Sequence, residues 1–389
     1  MNKAIMVYVD VTCYLQTEFI SGIQRVVREV MRRLDKKSAL QIIYLRYDQQ
    51  SKKFKRTSLE KNGEKSEVLE FDALSESDVF FEIDACWNVA PKRSILYEKL
   101  KEKKVQIVTY IQDILPITHP EYFGKLGNWQ FLGYIVACIN YADRIVVTTE
   151  ATRKSFYELL EKIDCKDINI DVIGLGGDLD EKCFARSEKI DKTAFDFVAK
   201  HDKEYVLMTG TIEPRKNHRV ILKAFEQKLF ENQISLVIAG RIGWNSDDIV
   251  QIMNRLRENK NFVFLEGKNN STIRYLYEHA KIVAFPSFDE GYGLPIIEAM
   301  DYDVPVIAGD VPVLREVGGS YCLYCDVNDE QDWIKKIWSL YSDDIEYSKW
   351  KKKAEDFQTL AWDDTANQLC ELIKNNSELH IQKHEEKSK

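Results

Sequence analysis

Short apolar runs alternate with helical patterns along almost the whole chain, and that alternation is the strongest constraint on its fold. Ala4–Val9, Leu40–Tyr44, Val79–Ile83, Val105–Tyr110, Arg144–Thr148 and Ile168–Ile173 form one series. Tyr205–Gly210, Ile234–Ala239, Phe262–Leu265, Lys281–Phe285 and Val304–Ala308 form a second. Such runs read as buried strands of parallel sheets covered by helices. A chain of 389 residues is long for one core, so the expected fold class is α/β with two domains, 1–185 and 186–360, followed by a segment 361–389. The charged stretch Cys183–Glu204 reads as the linker, and the end Glu385–Lys389 is polar enough to fray. Ligands of such sheets bind beyond the carboxyl ends of the strands, so two domains presenting those ends to each other form one deep cleft.

A net charge of −8 argues against a general nucleic-acid binder, which needs a basic excess. No apolar run reaches the roughly 18–20 residues that span a bilayer, and the start Met1–Asp10 lacks a signal-peptide core, so a cytoplasmic protein is expected. The eight cysteines show no disulfide-framework spacing and are expected to be reduced thiols. The single CxxC, Cys322 to Cys325, lacks a second pair at zinc spacing and reads as packing.

Two segments carry chemistry. In the first, Lys281–Phe285 runs through Pro286-Ser287-Phe288-Asp289-Glu290 into Gly291-Tyr292-Gly293-Leu294, and Pro295 then opens a helix that includes Glu298. Backbone N–H groups at that turn are placed to meet a phosphate, between two carboxylates suited to neutral hydroxyls. In the second, Thr209-Gly210-Thr211-Ile212-Glu213-Pro214-Arg215-Lys216-Asn217 leaves a strand, with Asn217 placed to cap the helix His218–Gln227. Arg215 offers a planar fork and Lys216 a point charge, which is what a departing diphosphate requires. Together the two segments have the plan of a nucleotide-sugar site.

From Gly210–Asn217 onward the second half resembles the family 4 glycosyltransferases, retaining enzymes of the GT-B fold with two Rossmann-like domains whose parallel sheets face across a cleft. The likeness continues through Leu236–Trp244, Val263–Gly267, Pro286–Met300, Pro305–Ala308 and Pro312–Gly318. Glu290 and Glu298, with seven residues between them, match the glutamate pair of these enzymes. The first half resembles them through Ser21–Arg25, Asp113–Pro116, Ala142–Thr148 and Val172–Asp178, and Ala361–Ala366 resembles the closing helix that returns to the first domain. The resemblance implies that Arg215 and Lys216 hold the diphosphate, Glu290 contacts donor-sugar hydroxyls and Glu298 binds the ribose. It also implies that Gly22 lets a first-domain loop approach the phosphates, that Gly210 and the Gly291–Leu294 turn border the donor, and that the backbone near Gly267 borders the base.

Two departures stand out. Gln112 precedes Asp113 where many relatives have a His-Asp pair, and Gln cannot titrate. Asp303 stands where relatives commonly have glycine, which Asp tolerates in a left-handed turn. Asp113 and His119 are candidates to orient the acceptor hydroxyl, set against plain roles as a turn-capping Asp and a surface His. Gly174-Leu175-Gly176-Gly177 is followed by Asp178, Asp180, Glu181 and Lys182 rather than an apolar helix, which argues against a dinucleotide loop. Asp301-Tyr302-Asp303 falls at a helix end, away from the phosphate loop; no metal and no cofactor are expected, the nucleotide sugar being a co-substrate.

Gln24–Lys37 carries six cations against two carboxylates, with Val26, Val27, Val30, Met31 and Leu34 at helical spacing. One face is expected to pack and the other, with Lys52, Lys53, Lys55 and Arg56, to offer a basic surface to an anionic membrane or lipid-diphosphate acceptor, giving peripheral association with the inner face of the cytoplasmic membrane, set against the plain role of a solvated helix face. The resemblance is greatest to O-antigen mannosyltransferases. It implies transfer of mannose from GDP-mannose, with UDP- and dTDP-sugars as alternatives, to a glycan or polyprenyl-diphosphate-linked acceptor in bacterial surface-polysaccharide synthesis. The rivals are a non-catalytic nucleotide-sugar-binding subunit and, less favoured on length, a PLP-dependent phosphorylase.

Overall fold

The computed structural model describes residues 4–17, 22–60, 64–165, 168–177 and 189–387. Ser21, Asp178–Lys182, Cys183 and the last two residues lie outside them. The chain divides into two compact units, Met1–Gly176 with Leu360–Lys389, and Gly177–Thr359.

The first unit is built on eight strands: β1 (Ile5–Asp10), β2 (Leu40–Asp48), β3 (Lys53–Thr57), β4 (Glu64–Val68), β5 (Val79–Glu82), β6 (Gln106–Ile111), β7 (Arg144–Val147) and β8 (Ile170–Val172). Their order is β4-β3-β2-β1-β5-β6-β7-β8. Strands β2, β1, β5, β6, β7 and β8 pair in parallel, and the inner ones have continuous apolar cores such as Val79-Phe80-Phe81. The sheet is nevertheless mixed rather than wholly parallel, because β3 and β4 add an antiparallel edge. In Lys53-Phe54-Lys55-Arg56-Thr57 only Phe54 is buried, so the alternation is that of a half-exposed strand. Its cations stay at the surface in ion pairs, Lys53 with Glu70, Lys55 with Asp48 and Arg56 with Glu67.

Sequence order reverses beside β1, which lies between β2 and β5, so the loops after β1 and β5 meet at a topological switch point. The helix Trp362–Lys387 belongs to this unit and packs on the helix Gly22–Leu34. Thr365 Oγ1 donates to the Gly174 carbonyl at 2.9 Å, and Asn376 Nδ2 to Gln106 Oε1 at 2.9 Å. The helix runs to Lys387, and Ser388 and Lys389 of the tail expected to fray lie outside the described residues.

The second unit is a six-stranded parallel sheet: β9 (Tyr205–Thr209), β10 (Ser235–Gly240), β11 (Phe262–Glu266), β12 (Ile282–Phe285), β13 (Val306–Gly309) and β14 (Leu323–Cys325), in the order β11-β10-β9-β12-β13-β14. Val206, Leu207, Ile238, Ile282, Val283 and Ile307 are buried in it, each burial contributing on the order of 1.5–3 kcal/mol before entropy is counted. The switch point falls between β9 and β12, so the segments after Thr209 and Phe285 leave the sheet side by side. Part of the expected linker belongs to this unit. Asp191 caps a helix Lys192–His201, and its carboxylate also holds Lys268 at 2.7 Å. Asp303 adopts φ 55°, the left-handed turn expected of it. Cys322 and Cys325 are buried, and among the described residues the seven cysteines are free thiols.

Candidate active site

The site grows from the two loops at the second unit's switch point. Beyond Thr209, Gly210 turns the chain at φ 118°, and Ile212 bridges to Ile242 after β10. Gly240 makes this possible: a Cβ there would sit 1.8 Å from the Gly210 carbonyl oxygen. Pro214–Lys216 forms one 3-10 turn. In the facing loop Gly293, at φ 111°, sits before the seven-residue helix Leu294–Met300, with Pro295 in its first turn. A helix so short carries little macrodipole, so any charge neutralisation of a phosphate falls mainly to side chains.

Those side chains converge. Arg215 Nη1 donates to Glu290 Oε2 at 2.5 Å and to the Asp289 carbonyl at 2.8 Å, while Nη2 donates to Glu213 Oε1 at 2.7 Å. Lys216 Nζ donates to the other Glu290 oxygen at 2.6 Å and lies 5.0 Å from the centre of the Phe285 ring. The Phe288 amide closes the frame on the Arg215 carbonyl at 2.9 Å. Two cations thus meet two carboxylates. Glu290 is 8% exposed and Glu213 2%, whereas the Arg215 and Lys216 side chains keep 14% and 13%.

The two carboxyls are driven in opposite directions. Burial raises Glu290, but the charges of Arg215 and Lys216 outweigh it and hold the group at about 2. For Glu213 burial wins over the same two cations, and its pKa lies above the ordinary value. Glu290 is therefore a permanent acceptor near neutrality, suited to receive sugar hydroxyls and unsuited to give a proton. His218, fully buried, is pushed down to about 3 by burial and by Lys216, so it stays neutral beside the cations.

Asn217 departs from expectation. It takes the left-handed conformation, φ 51° and ψ 37°, and makes no side-chain cap. Its Nδ2 instead donates to the carbonyls of Pro286 and Val327, at 3.2 and 2.7 Å, pinning the cation loop to the glutamate loop. The helix it precedes is His218–Ala224, continued by a π turn Phe225–Leu229. Glu298 lies half-buried on Leu294–Met300, where its Oε2 accepts from Tyr277 Oη at 2.8 Å. Gly267, at φ 61°, donates to the Gly240 carbonyl at 3.0 Å, beside the end of β10. Glu213, Asn217 and Tyr277 are members that sequence reasoning missed as site residues; the first two stood within the quoted motif.

The remaining candidates lie in the first unit. Gly22 opens the helix Gly22–Leu34, and a Cβ there meets nothing within 4 Å. Asp113 Oδ1 accepts from the Leu115 amide at 3.0 Å, and Gln112 Nε2 donates to the Ile83 carbonyl at 3.1 Å. His119 Nδ1 lies 3.3 Å from Glu121 Oε1, with its ring stacked on Tyr122. The helix Gly22–Leu34 keeps part of the expected basic face, with Arg32 and, just beyond its end, Lys36 exposed, while other cations of the segment are covered. Arg28 and Arg33 are each 6% exposed and pair with buried Glu29 at 2.8 Å, Arg25 lies 6.0 Å from the Trp362 ring, and Lys37 bonds Asn367. The covering helix comes from the far end of the chain, which a local pattern cannot reveal. Among the described residues no helix is long and apolar enough to cross a membrane.

A second charged cluster, unforeseen, closes the first unit's switch point. Arg93 bonds Asp10 at 2.6 Å and Glu82 at 2.8 Å, and Tyr97 Oη donates to Glu82 at 2.5 Å. Asp84, pushed up to about 7 by burial, accepts from the amides of Tyr14 and Ala85. Asp10, Glu82 and Cys86 bring potential metal-ligand atoms within 4.8 Å of one another. Arg93 already bridges the two carboxylates, and burial pushes the Cys86 thiol well up, so this donor set fits a guanidinium better than a metal ion.

Comparison with known proteins places these observations. Residues 189–357 match the profile of the family described as glycosyl transferases group 1. That match covers most of the second unit. The serotype-specific mannosyltransferase WbdA of Escherichia coli is 26% identical over 299 residues, 72% of this chain and 37% of that protein. The O-antigen chain mannosyltransferase RfbU of Salmonella typhimurium is 28% identical over 229 residues, 58% of each chain. The chain thus spans a little over a third of the first of these relatives. Among solved structures, HepE of Anabaena in complex with UDP-glucose matches with a TM-score of 0.67 at 15% identity, covering 95% of this chain and 99% of that one. Sucrose-phosphate synthase of Thermosynechococcus elongatus matches at 0.65, covering 96% and 99%. The fold is GT-B, and the likeness to O-antigen mannosyltransferases read from the motifs holds.

Proposed function

We propose that the chain is a retaining, metal-independent glycosyltransferase that moves mannose from GDP-mannose to a hydroxyl of a glycan or lipid-linked acceptor in bacterial surface-polysaccharide synthesis. The observation that carries this reading is the convergence of Arg215 and Lys216 on Glu290 across two loops at the switch point of the glycosyl transferase domain. The names of the matched mannosyltransferases favour the sugar, and the UDP-glucose held by HepE supports a nucleoside-diphosphate sugar as the donor class.

In this reading the bond between the anomeric carbon and the phosphate oxygen breaks as the acceptor oxygen bonds the same face of that carbon. The acceptor proton passes to the departing phosphate oxygen, so no protein nucleophile is required. Arg215 and Lys216 stabilise the charge that grows on the diphosphate, a contribution that one well-placed donor makes worth about 2.7–4 kcal/mol. Glu290, ionised, accepts from donor-sugar hydroxyls and fixes the reacting carbon. Glu298 holds the ribose, and Gly22 leaves room for the phosphates. Asp113 and His119 orient the acceptor hydroxyl.

The test is a panel of nucleotide sugars screened by thermal shift, followed by measurement of nucleoside diphosphate release. A donor at about 100 times its Kd adds ~2.7 kcal/mol of stability. GDP-mannose is expected to stabilise the protein and to be turned over, and Lys216→Ala to lower kcat about 100-fold with the fold intact. Absence of stabilisation by every nucleotide sugar, or wild-type turnover in Lys216→Ala, overturns the proposal.

A further inference from the structure

The carboxylate of Glu298 is held from within the protein. Tyr277, on the helix Asn270–His279, is 1% exposed, yet its hydroxyl reaches Glu298 Oε2 at 2.8 Å. Thr209 Oγ1 lies 2.6 Å from the same phenol oxygen. A phenol has one proton, and the carboxylate receives it, so the threonine hydroxyl must donate to the phenol oxygen. The direction of the chain is therefore fixed as Thr209 to Tyr277 to Glu298. Tyr302 stacks on Tyr277 with ring centres 6.1 Å apart and planes 10° from parallel, which restrains the phenol. Thr209 is the last residue of β9, immediately before Gly210 and the loop of Arg215 and Lys216. One relay thus joins the strand that launches the cation loop to the helix that carries the second glutamate.

We infer that Tyr277 is a positioning residue for nucleotide recognition: it aims Glu298 at the ribose hydroxyls and so sets the preference for ribonucleotides over their deoxy counterparts. The inference rests on the reading of Glu298 as the ribose-binding carboxylate. A carboxylate on a flexible glutamate loses rotamer freedom when it grips a diol, and a buried phenol that already fixes one oxygen removes part of that cost before the ligand arrives. A phenylalanine would fill the same space. What the hydroxyl adds is direction, and direction matters only to a ligand that has hydroxyls to be met.

The experiment measures binding of GDP and 2′,3′-dideoxy-GDP, and of UDP and 2′,3′-dideoxy-UDP, by isothermal titration calorimetry. The proteins are wild type, Tyr277→Phe, Thr209→Val and Glu298→Gln. Wild type is expected to prefer its ribonucleotide by about tenfold or more, as a charge-assisted hydrogen bond to a hydroxyl should provide. Tyr277→Phe should bring that ratio to about threefold or less while leaving the dideoxy Kd unchanged; Thr209→Val should move it the same way by a smaller factor. Equal weakening of ribo and dideoxy ligands in Tyr277→Phe, or an intact ratio, assigns Tyr277 to packing alone and overturns the inference. If Glu298→Gln collapses the ratio and Tyr277→Phe does not, the ribose reading stands and the relay falls. If wild type shows no preference or binds neither nucleotide, the ribose reading fails first and the inference with it. Should Tyr277→Phe not fold, Thr209→Val decides: an unchanged ratio overturns the relay.

Discussion

Glu290→Gln separates two roles that the geometry gives one side chain. The carboxylate sits between Arg215 and Lys216 at 2.5 and 2.6 Å and is held at about 2 from an ordinary 4.5. That difference corresponds to about 3 kcal/mol of stability from the ionised form, the group being buried and little screened. The folded pKa is depressed, so the contribution is fully present above pH 4.5 and is lost as pH falls through 2. Urea unfolding of Glu290→Gln should therefore show a deficit of about 3 kcal/mol at pH 7 that shrinks to about 1.4 kcal/mol near pH 3. Binding should move the other way. The substitution changes two cations and two carboxylates into a set with one net positive charge, and a unit charge at about 5 Å in an effective dielectric near 20 is worth about 3 kcal/mol before counterions and the second carboxylate reduce it. A nucleoside diphosphate should then bind at least as tightly to Glu290→Gln as to wild type, while turnover falls because the sugar has lost an ionised acceptor. Calorimetric binding of the diphosphate, read beside kcat, checks both. Weaker diphosphate binding in the variant, or stability equal to wild type at pH 7, would refute the reasoning that this carboxylate balances the cations.

Two further outcomes test the frame. Asn217→Gly keeps the left-handed backbone but removes the donor to the Pro286 and Val327 carbonyls; a loss of about 2 kcal/mol in urea unfolding is expected, and no loss would show that the tie between the loops is not structural. Arg93→Met leaves Asp10 and Glu82 buried without their guanidinium and should cost about 3–5 kcal/mol near neutral pH; a loss below about 1 kcal/mol in chemical denaturation would refute the buried ion triad.

Eleven of the strands were legible from their apolar runs, most of which lack alternation, as both-faces-buried parallel strands do. The antiparallel edge was not, because Lys53–Thr57 reads as a charged loop until Phe54 is seen to be the one residue turned inward. The cation and glutamate loops were legible through composition at strand ends, where a switch point gathers them. Asn217 was misassigned for a different reason: residue type favours a cap and a left-handed turn alike, and only the neighbouring carbonyls choose between them. The helix Gly22–Leu34 shows the limit of periodicity. Its apolar stripe locates one buried face, but the second is made by a helix whose Asn367 meets Lys37 across 330 residues. Tyr277 had no local mark, since a core tyrosine and a positioning tyrosine have the same sequence context.

Both units place charge at the same topological position, beside the two strands where sheet order reverses, yet the two clusters cannot do the same work. Arg93 is 1% exposed and its partners Asp10 and Glu82 are at 0%, so the guanidinium is sealed by carboxylates and a ligand would have to break buried ion pairs to reach it. That cluster fixes the turn after β1, where Asp10 also accepts from Thr12. Around Glu290 the deeper groups are the carboxylates and the shallower ones are the cations, at 14% and 13%. A diphosphate there can add its oxygens to donors that remain paired behind, without first paying to expose a bare charge. Depth rather than charge count distinguishes a structural ion cluster from one able to receive an anion, and on that ground the proposed diphosphate site falls at the second unit's switch point.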